Sequence, residues 1–451
     1  MKPKTPERTE HNLFRLELVN MINLRHELVK LAQVIDWQAL NDAFEPLYHG
    51  ETGRPGNNIR LMCGLHYLKH VYALSDEEVC ARWVENPYYQ YFCGNVYFEH
   101  KLPINPSSMT RFRQRIGEDG AKKLLQLTVE AGVKTKTVKP ASFKQVVVDT
   151  TVMEKAVAFP TDAKLLNRCR EHLVTLTHKQ GMGLRQSYAR LGKRALLKVW
   201  RYGHARQFKR MRREVKRLKT YLGRVARDIQ RRLVNHPHLR PVFEEKLCQA
   251  ERLLTQGKTG KNKLYSLHAP EVECIAKGKA HKKYEFGVKV GIVTTLKEQF
   301  VLCSQVFPGR PYDGHTLFRS LGEASRQCGC WAEKALVDRG CRGYLTQGND
   351  CFTIHIAGQK RGLTVHEKQT LKRRNAIEPI IGHMKTDGLL GRNSLLGEMG
   401  DAINAVLCGA GQNLRMILKK LRLLFVWVLA QMMSHQGQMP VQDNEQRGYC
   451  Y

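Results

Sequence analysis

One short run constrains the fold more than any other: "QVVVDTTV", residues 145–152, stands alone between long stretches of helical pattern. Consecutive β-branched residues suit a strand buried on both faces. The next such runs are "YEFGVKVGIVTT" (284–295), "QFVLCSQVF" (299–307), "KALVDRG" (334–340) and "CFTIHIAG" (351–358). The first three runs read as an antiparallel meander closed by short turns. After "GHTLFRSL" (314–321), a predicted helix, the chain returns to a strand. The expectation is an α/β fold whose first strand is cut off from its partners by a long insertion.

The insertion has its own character. In residues 201–234 the apolar positions Phe208, Met211, Val215, Leu218, Leu222, Val225, Ile229 and Leu233 recur every three or four residues. That spacing predicts one long amphipathic helix with a narrow, nearly heptad seam. From Arg201 to Arg232 there are thirteen Lys or Arg and two acids, a local charge of +11. A face of one sign repels itself and gains most by neutralising phosphates. Lys209, Arg210, Arg213 and Arg217 are the DNA-contact candidates here. A coiled-coil scaffold with a solvated face is the competing reading.

Residues 11 to about 133 read as short helices with polar joints. Ile59, Met62, Leu65, Leu68 and Val71 fall at helical spacing, and Ser75 is placed to cap the next helix. In "PINPSSMTRFRQRIG" Ser107 or Ser108 can cap a helix carrying Arg111, Arg113 and Arg115. Arginines in the early turns of a capped helix suit DNA contact. A helical dimerisation domain is the alternative.

The whole chain has the same bias. Its 451 residues hold 74 Lys or Arg against 41 Asp or Glu, a net charge of +33. Such a field favours a polyanion, with nucleic acid ahead of an anionic membrane. The opening "MKPKTPERTEHNLF" has no apolar leader core, and "LRLLFVWVLAQMM" (421–433) is too short to span a bilayer. A packed C-terminal helix and a cytoplasmic, nucleoid-associated protein are expected. Thirteen cysteines without scaffold spacing read as reduced thiols. Cys328, Cys330, Cys341, Cys351 and His355 lack the CxxC pair of a zinc site.

Three acids stand out by position. Asp149 ends "VVVD", Asp338 ends "ALVD", and Glu378 lies at the centre of the basic segment 371–393. Converging carboxylates can hold two divalent cations that activate a water or 3′-hydroxyl and stabilise the leaving oxygen of a phosphodiester. Magnesium suits that use, since it keeps positions for water and phosphate. Asp313 and Asp162 precede predicted helices and read as their caps. Pro379 leaves two options for the Glu378 segment: a continuous helix from before Arg374, or a helix starting at Pro379.

At this point the chain resembles a known family. "RRNAIEPIIGHMK" matches the Y-(2)-R-(3)-E-(6)-K signature of bacterial insertion-sequence DDE transposases, through Arg374, Glu378 and Lys385. "VVVDTT" and "LVDRGCRGY" are similar to the segments carrying the first two acids of that family. "FPTDAKLL", "PYDGHTL", "GRNSLLGEMGDAINAVLCGAGQNLRMIL" and the stretch 45–117 resemble the insertion-sequence type 5 group. One position departs: Leu371 stands where the signature has a tyrosine, implied to contact DNA.

The resemblance implies a ribonuclease-H-like catalytic core at 141–163 and 264–420, split by a basic helical insertion at 164–263. A helical DNA-binding domain at 1–135 would precede it, and a C-terminal helix and tail at 421–451 would follow. Asp149, Asp338 and Glu378 would bind two Mg²⁺, with Mn²⁺ able to substitute, and Arg374 and Lys385 would grip the scissile strand. The partner would be double-stranded DNA, both transposon ends and target, bound by a homodimer. A nuclease without strand transfer and an inactive DNA-binding repressor are the rival readings.

Overall fold

The computed structural model describes residues 16–48, 55–257, 260, 263–276, 283–341, 353–359 and 362–436. Before the first strand the chain is helical: α1 (Leu18–Met21), α2 (Glu27–Val34), α3 (Trp37–Phe44), α4 (Ile59–Val71), α5 (Asp76–Glu85), α6 (Pro87–Phe92) and α7 (Ser107–Lys134). The five expected apolar positions of α4 are all buried, and so are His66, Tyr67, Lys69 and His70. Such all-round burial makes α4 a central helix rather than a one-sided one. Ser75 caps α5 as expected, and Glu78 closes a capping box with it. The start of α7 differs from expectation. Asn105, not a serine, supplies the acceptor, taking the N–H and hydroxyl of Ser107 at 3.0 and 2.7 Å.

Among the described residues six strands form one sheet: β1 (Gln145–Glu154), β2 (Glu273–Ala276), β3 (Tyr284–Thr295), β4 (Val301–Phe307), β5 (Lys334–Val337) and β6 (Thr353–Ile356). β1–β3–β4 is the antiparallel meander read from the sequence. β5 and β6 then continue the sheet in parallel beyond β1. Gly287 of β3 pairs with both Glu154 and Glu273, so β2 lies on the edge of β3 opposite β1, in line with β4. The four residues of β2 carry no alternation long enough to be recognised in the sequence.

Between β1 and β2 come α8 (Asp162–Lys179), α9 (Ala189–His204), α10 (Phe208–Asn235) and α11 (Arg240–Thr255). They enclose a core of their own, built on Leu166, Leu173, Leu218, Leu222, Ile229 and Phe243. The expected single helix over 201–234 is two. Arg206 adopts a left-handed φ of 54° at the joint, and α10 starts only at Phe208. The seam is buried from Leu218 to Leu233, while Phe208 at its start is exposed. Thr161, not Asp162, caps α8.

The remaining helices are α12 (Asp313–Cys328), α13 (Val365–Lys372), α14 (Ile377–Thr386) and α15 (Gly397–Gln436). One face of the sheet, with Val146, Val148 and Val293, shares a continuous apolar interior with α2 to α7, α12 and α15. The other face, with Val147, Val290, Ile292 and Leu336, packs on Ile377 and Met384 of α14 and on Ala405 of α15. The stretch 421–433 is the end of α15 rather than a separate helix. Asn413 of α15 accepts from Val301 N–H and donates to Val301 C=O, both at 2.8 Å, filling polar groups at the bulged start of β4.

Candidate active site

The pairing of β1 with β5 decides where two of the acids go. Val147 lies opposite Leu336 in parallel register, and both side chains point into the α14 face of the sheet. Side chains alternate along a strand, so Asp149 and Asp338, each two residues further on, emerge on that same face. Asp149 does not end its strand, as the sequence suggested. It sits in the middle of β1, which runs on to Glu154. Asp338 follows β5 directly.

The third acid arrives on α14. Ile377 and Met384 are fully buried against the sheet, and Ile380 and Ile381 pack partly against it. Leu371, in the place of the signature tyrosine, packs into the same cluster. Glu378 lies within the first turn of α14, preceded by a 3₁₀ turn at Arg373–Ala376. Neither option left open by Pro379 is formed: Arg374 lies in the 3₁₀ turn, and α14 starts at Ile377, ahead of Glu378 and Pro379. Pro379 falls among the first helical positions, where an N–H has no intrahelical partner to lose. The far end is tied down by Asn393, which exchanges backbone hydrogen bonds of 2.7 Å with Glu154 and Ala156 at the end of β1.

Arg374 joins the three acids. Its Nη2 donates to Asp149 Oδ2 at 2.9 Å, and its Nη1 lies 3.6 Å from both Asp338 Oδ1 and Glu378 Oε1. The guanidinium is buried, with 8% of the side chain exposed, whereas Asp338 and Glu378 are 52% and 64% exposed. Asp338 and Glu378 thus line an open surface beside a buried cation. Burial pushes the nearby Cys341 thiol up to about 11, and the charges of Asp313, Asp338 and Asp149 push in the same direction.

Asp313 is a fourth acid near this site, and it does not cap α12. It is the first residue of that helix, and its Oδ1 accepts from Thr150 Oγ1 and Lys289 Nζ, each at 2.9 Å. Thr150 follows Asp149 on β1 but faces the opposite side of the sheet, so Asp313 braces the strand from behind. The Lys289 and Thr150 partnership escaped the sequence reading because it joins three distant segments. The cysteine cluster weighed for zinc contains free thiols at Cys328, Cys330 and Cys341. Cys351 lies outside the described residues.

Among the described residues no three Asp, Glu, His or Cys side chains are grouped closely enough to hold a metal ion as they stand. The guanidinium of Arg374 lies between the acids instead. Their donor chemistry nevertheless fits a hard divalent cation, since all three offer carboxylate oxygens directed at one positive centre.

The cations expected to touch DNA divide into two groups. Lys209, Arg210, Arg213 and Arg217 are exposed on α10, with Arg217 also paired to Glu214 at 2.8 Å. Arg111 and Arg115 are exposed on α7, and Arg115 lies over the ring of Tyr48. Arg113 points inward, where its guanidinium is held by Asp76. Lys385 is half-buried in the last turn of α14.

Residues 16–115 match the family described as "Transposase domain (DUF772)". An uncharacterized protein of Rhizobium meliloti, ORF8 in the nfe locus, is 51% identical over 208 residues. Those residues are 46% of this chain and the whole of that protein. At residues 16–115 the chain belongs to a transposase-domain family. The transposase domain so matched covers α1 to α6 and the first turns of α7, and α2 to α7 share one apolar interior with the sheet. No solved structure matches the chain. No helix among the described residues is long and apolar enough to cross a membrane.

Proposed function

We propose that this transposase is of the DDE type: it binds the terminal inverted repeats of its element, hydrolyses the phosphodiester at each end and joins the freed 3′ ends to target DNA. The observation that carries the reading is the meeting of Asp149, Asp338 and Glu378 on one guanidinium, from two neighbouring strands and a helix far apart in sequence. Support for a ribonuclease-H-like core comes from the sheet, with an antiparallel meander extended by two parallel strands. The insertion would be the helices α8 to α11, with their separate core.

Asp149, Asp338 and Glu378 would hold magnesium, which supplies charge at the attacking and leaving oxygens when bound. Lys385 and the cations of α10 would bind the phosphates of the strand, fixing it in line for attack. The open setting of the acids suits a duplex better than a small substrate.

The direct test supplies the protein with DNA carrying its own flanking inverted repeats and magnesium, and maps the cut ends. Cleavage at the element boundary is expected, followed by joining when pre-cut ends and target DNA are given. Cleavage without joining would make it a nuclease, and binding without cleavage a repressor.

A further inference from the structure

We propose that Arg374 is an internal counter-cation that keeps the acid site closed to metal until DNA draws its guanidinium away. The inference rests on the metal-dependent reading above and adds a control to it. A guanidinium and a divalent cation cannot both occupy the space among the same three carboxylates, because each would lie within a few ångströms of the other's charge. Metal entry therefore requires Arg374 to leave.

Its contacts are suited to leaving. One is a hydrogen bond of 2.9 Å to Asp149, but the other two, to Asp338 and Glu378, are looser at 3.6 Å. Arg374 Nε is buried without a hydrogen-bond partner, so the side chain is incompletely satisfied where it stands. The two looser partners are the exposed acids, which puts the open side of the site beside Nη1. A DNA phosphate arriving from that side offers the planar fork a two-pronged acceptor in exchange.

DNA and metal then bind with positive coupling, and the coupling is reciprocal. A protein free of DNA would hold its acids neutralised by its own arginine rather than as a loaded nuclease centre. Arg374 acts here as a positioning residue for the acids and as a competitor of the metal.

The test reads metal binding rather than activity. Free Mn²⁺ is titrated by electron paramagnetic resonance against the full-length chain without DNA. Arg374→Gln should bind Mn²⁺ more tightly than the parent, by on the order of tenfold or more. Adding Asp149→Ala to that variant should remove the gain, which locates it at these acids. Should Arg374→Gln fail to fold, Arg374→Lys serves, since a compact ammonium cannot reach all three carboxylates and should give a smaller gain. A folded variant that binds Mn²⁺ no more tightly than the parent overturns the proposal while leaving the metal-dependent reading in place. If no protein binds Mn²⁺ in an Asp149-dependent way, even on DNA, that reading fails and takes the proposal with it.

Discussion

Arg113 and Asp76 form a two-pronged ion pair, 3.0 Å from Nη1 to Oδ1 and 2.6 Å from Nη2 to Oδ2, between α7 and the start of α5. Lys69 of α4 donates to the same carboxylate at 2.7 Å. One acid thus joins three helices of the transposase domain. Asp76→Ala would leave two buried cations without their partner, a loss of about 3–5 kcal/mol. A lowered urea midpoint for the full chain would register it. Burial by itself would raise the Asp76 carboxyl, but the Arg113 hydrogen bonds and the Lys69 and Arg113 charges outweigh it and hold the carboxyl far below the usual range. The sign follows: the stabilisation is complete above the unfolded carboxyl value of about 3.9 and is lost as pH falls below it. In wild type, the acid side of the stability profile should fall there, and Asp76→Ala should flatten that fall.

The same pair separates two arginines that look alike in sequence. Arg111→Gln should flatten the salt dependence of DNA affinity by about 0.9, the value for one neutralised phosphate. Arg113→Gln should leave that slope unchanged and lower stability instead. Equal effects on the slope would return Arg113 to the DNA face.

What could be read from the sequence was local. The individual strands β1, β3 and β4, the Ser75 cap and the buried row on α4 all follow from spacing within one segment. The failures are contacts between segments. Arg374 sits in a basic stretch and reads as a phosphate ligand, yet its closest carboxylate is 225 positions away on β1. Arg113 reads as a surface cation until Asp76 is placed beside it. The break at Arg206 precedes every seam position, and a left-handed residue other than glycine leaves no mark in a pattern.

On α10, replacing Lys209, Arg210, Arg213 and Arg217 together by Gln should weaken binding to every DNA sequence alike. The slope of affinity against salt should flatten by about 0.9 for each phosphate that the helix no longer neutralises. An unchanged slope would make α10 a scaffold whose exposed cations are merely solvated.

Lys385 distinguishes a clamp on the scissile strand from a structural cation. An exposed structural pair is worth about 0–1 kcal/mol, so Lys385→Ala would then cut almost normally. A contact to the phosphate beside the scissile bond, strengthened as charge grows in the transition state, is worth about two to four kcal/mol, or roughly a hundredfold in rate. Lys385→Arg should recover only part of that loss, since a planar fork does not replace a fitted point charge. Single-turnover cleavage at saturating enzyme isolates the chemical step. A Lys385→Ala protein within a few-fold of the parent would remove the clamp.

The central claim is that Asp149, Asp338 and Glu378 act as one metal-holding unit. It is tested most directly by single-turnover cleavage of DNA bearing the flanking inverted repeats, with magnesium, by Asp149→Ala, Asp338→Ala and Glu378→Ala. Each variant should bind this DNA nearly as the parent does and produce no cut ends, because metal-held acids serve chemistry more than affinity. Near-normal cleavage by any one of the three would contradict the claim.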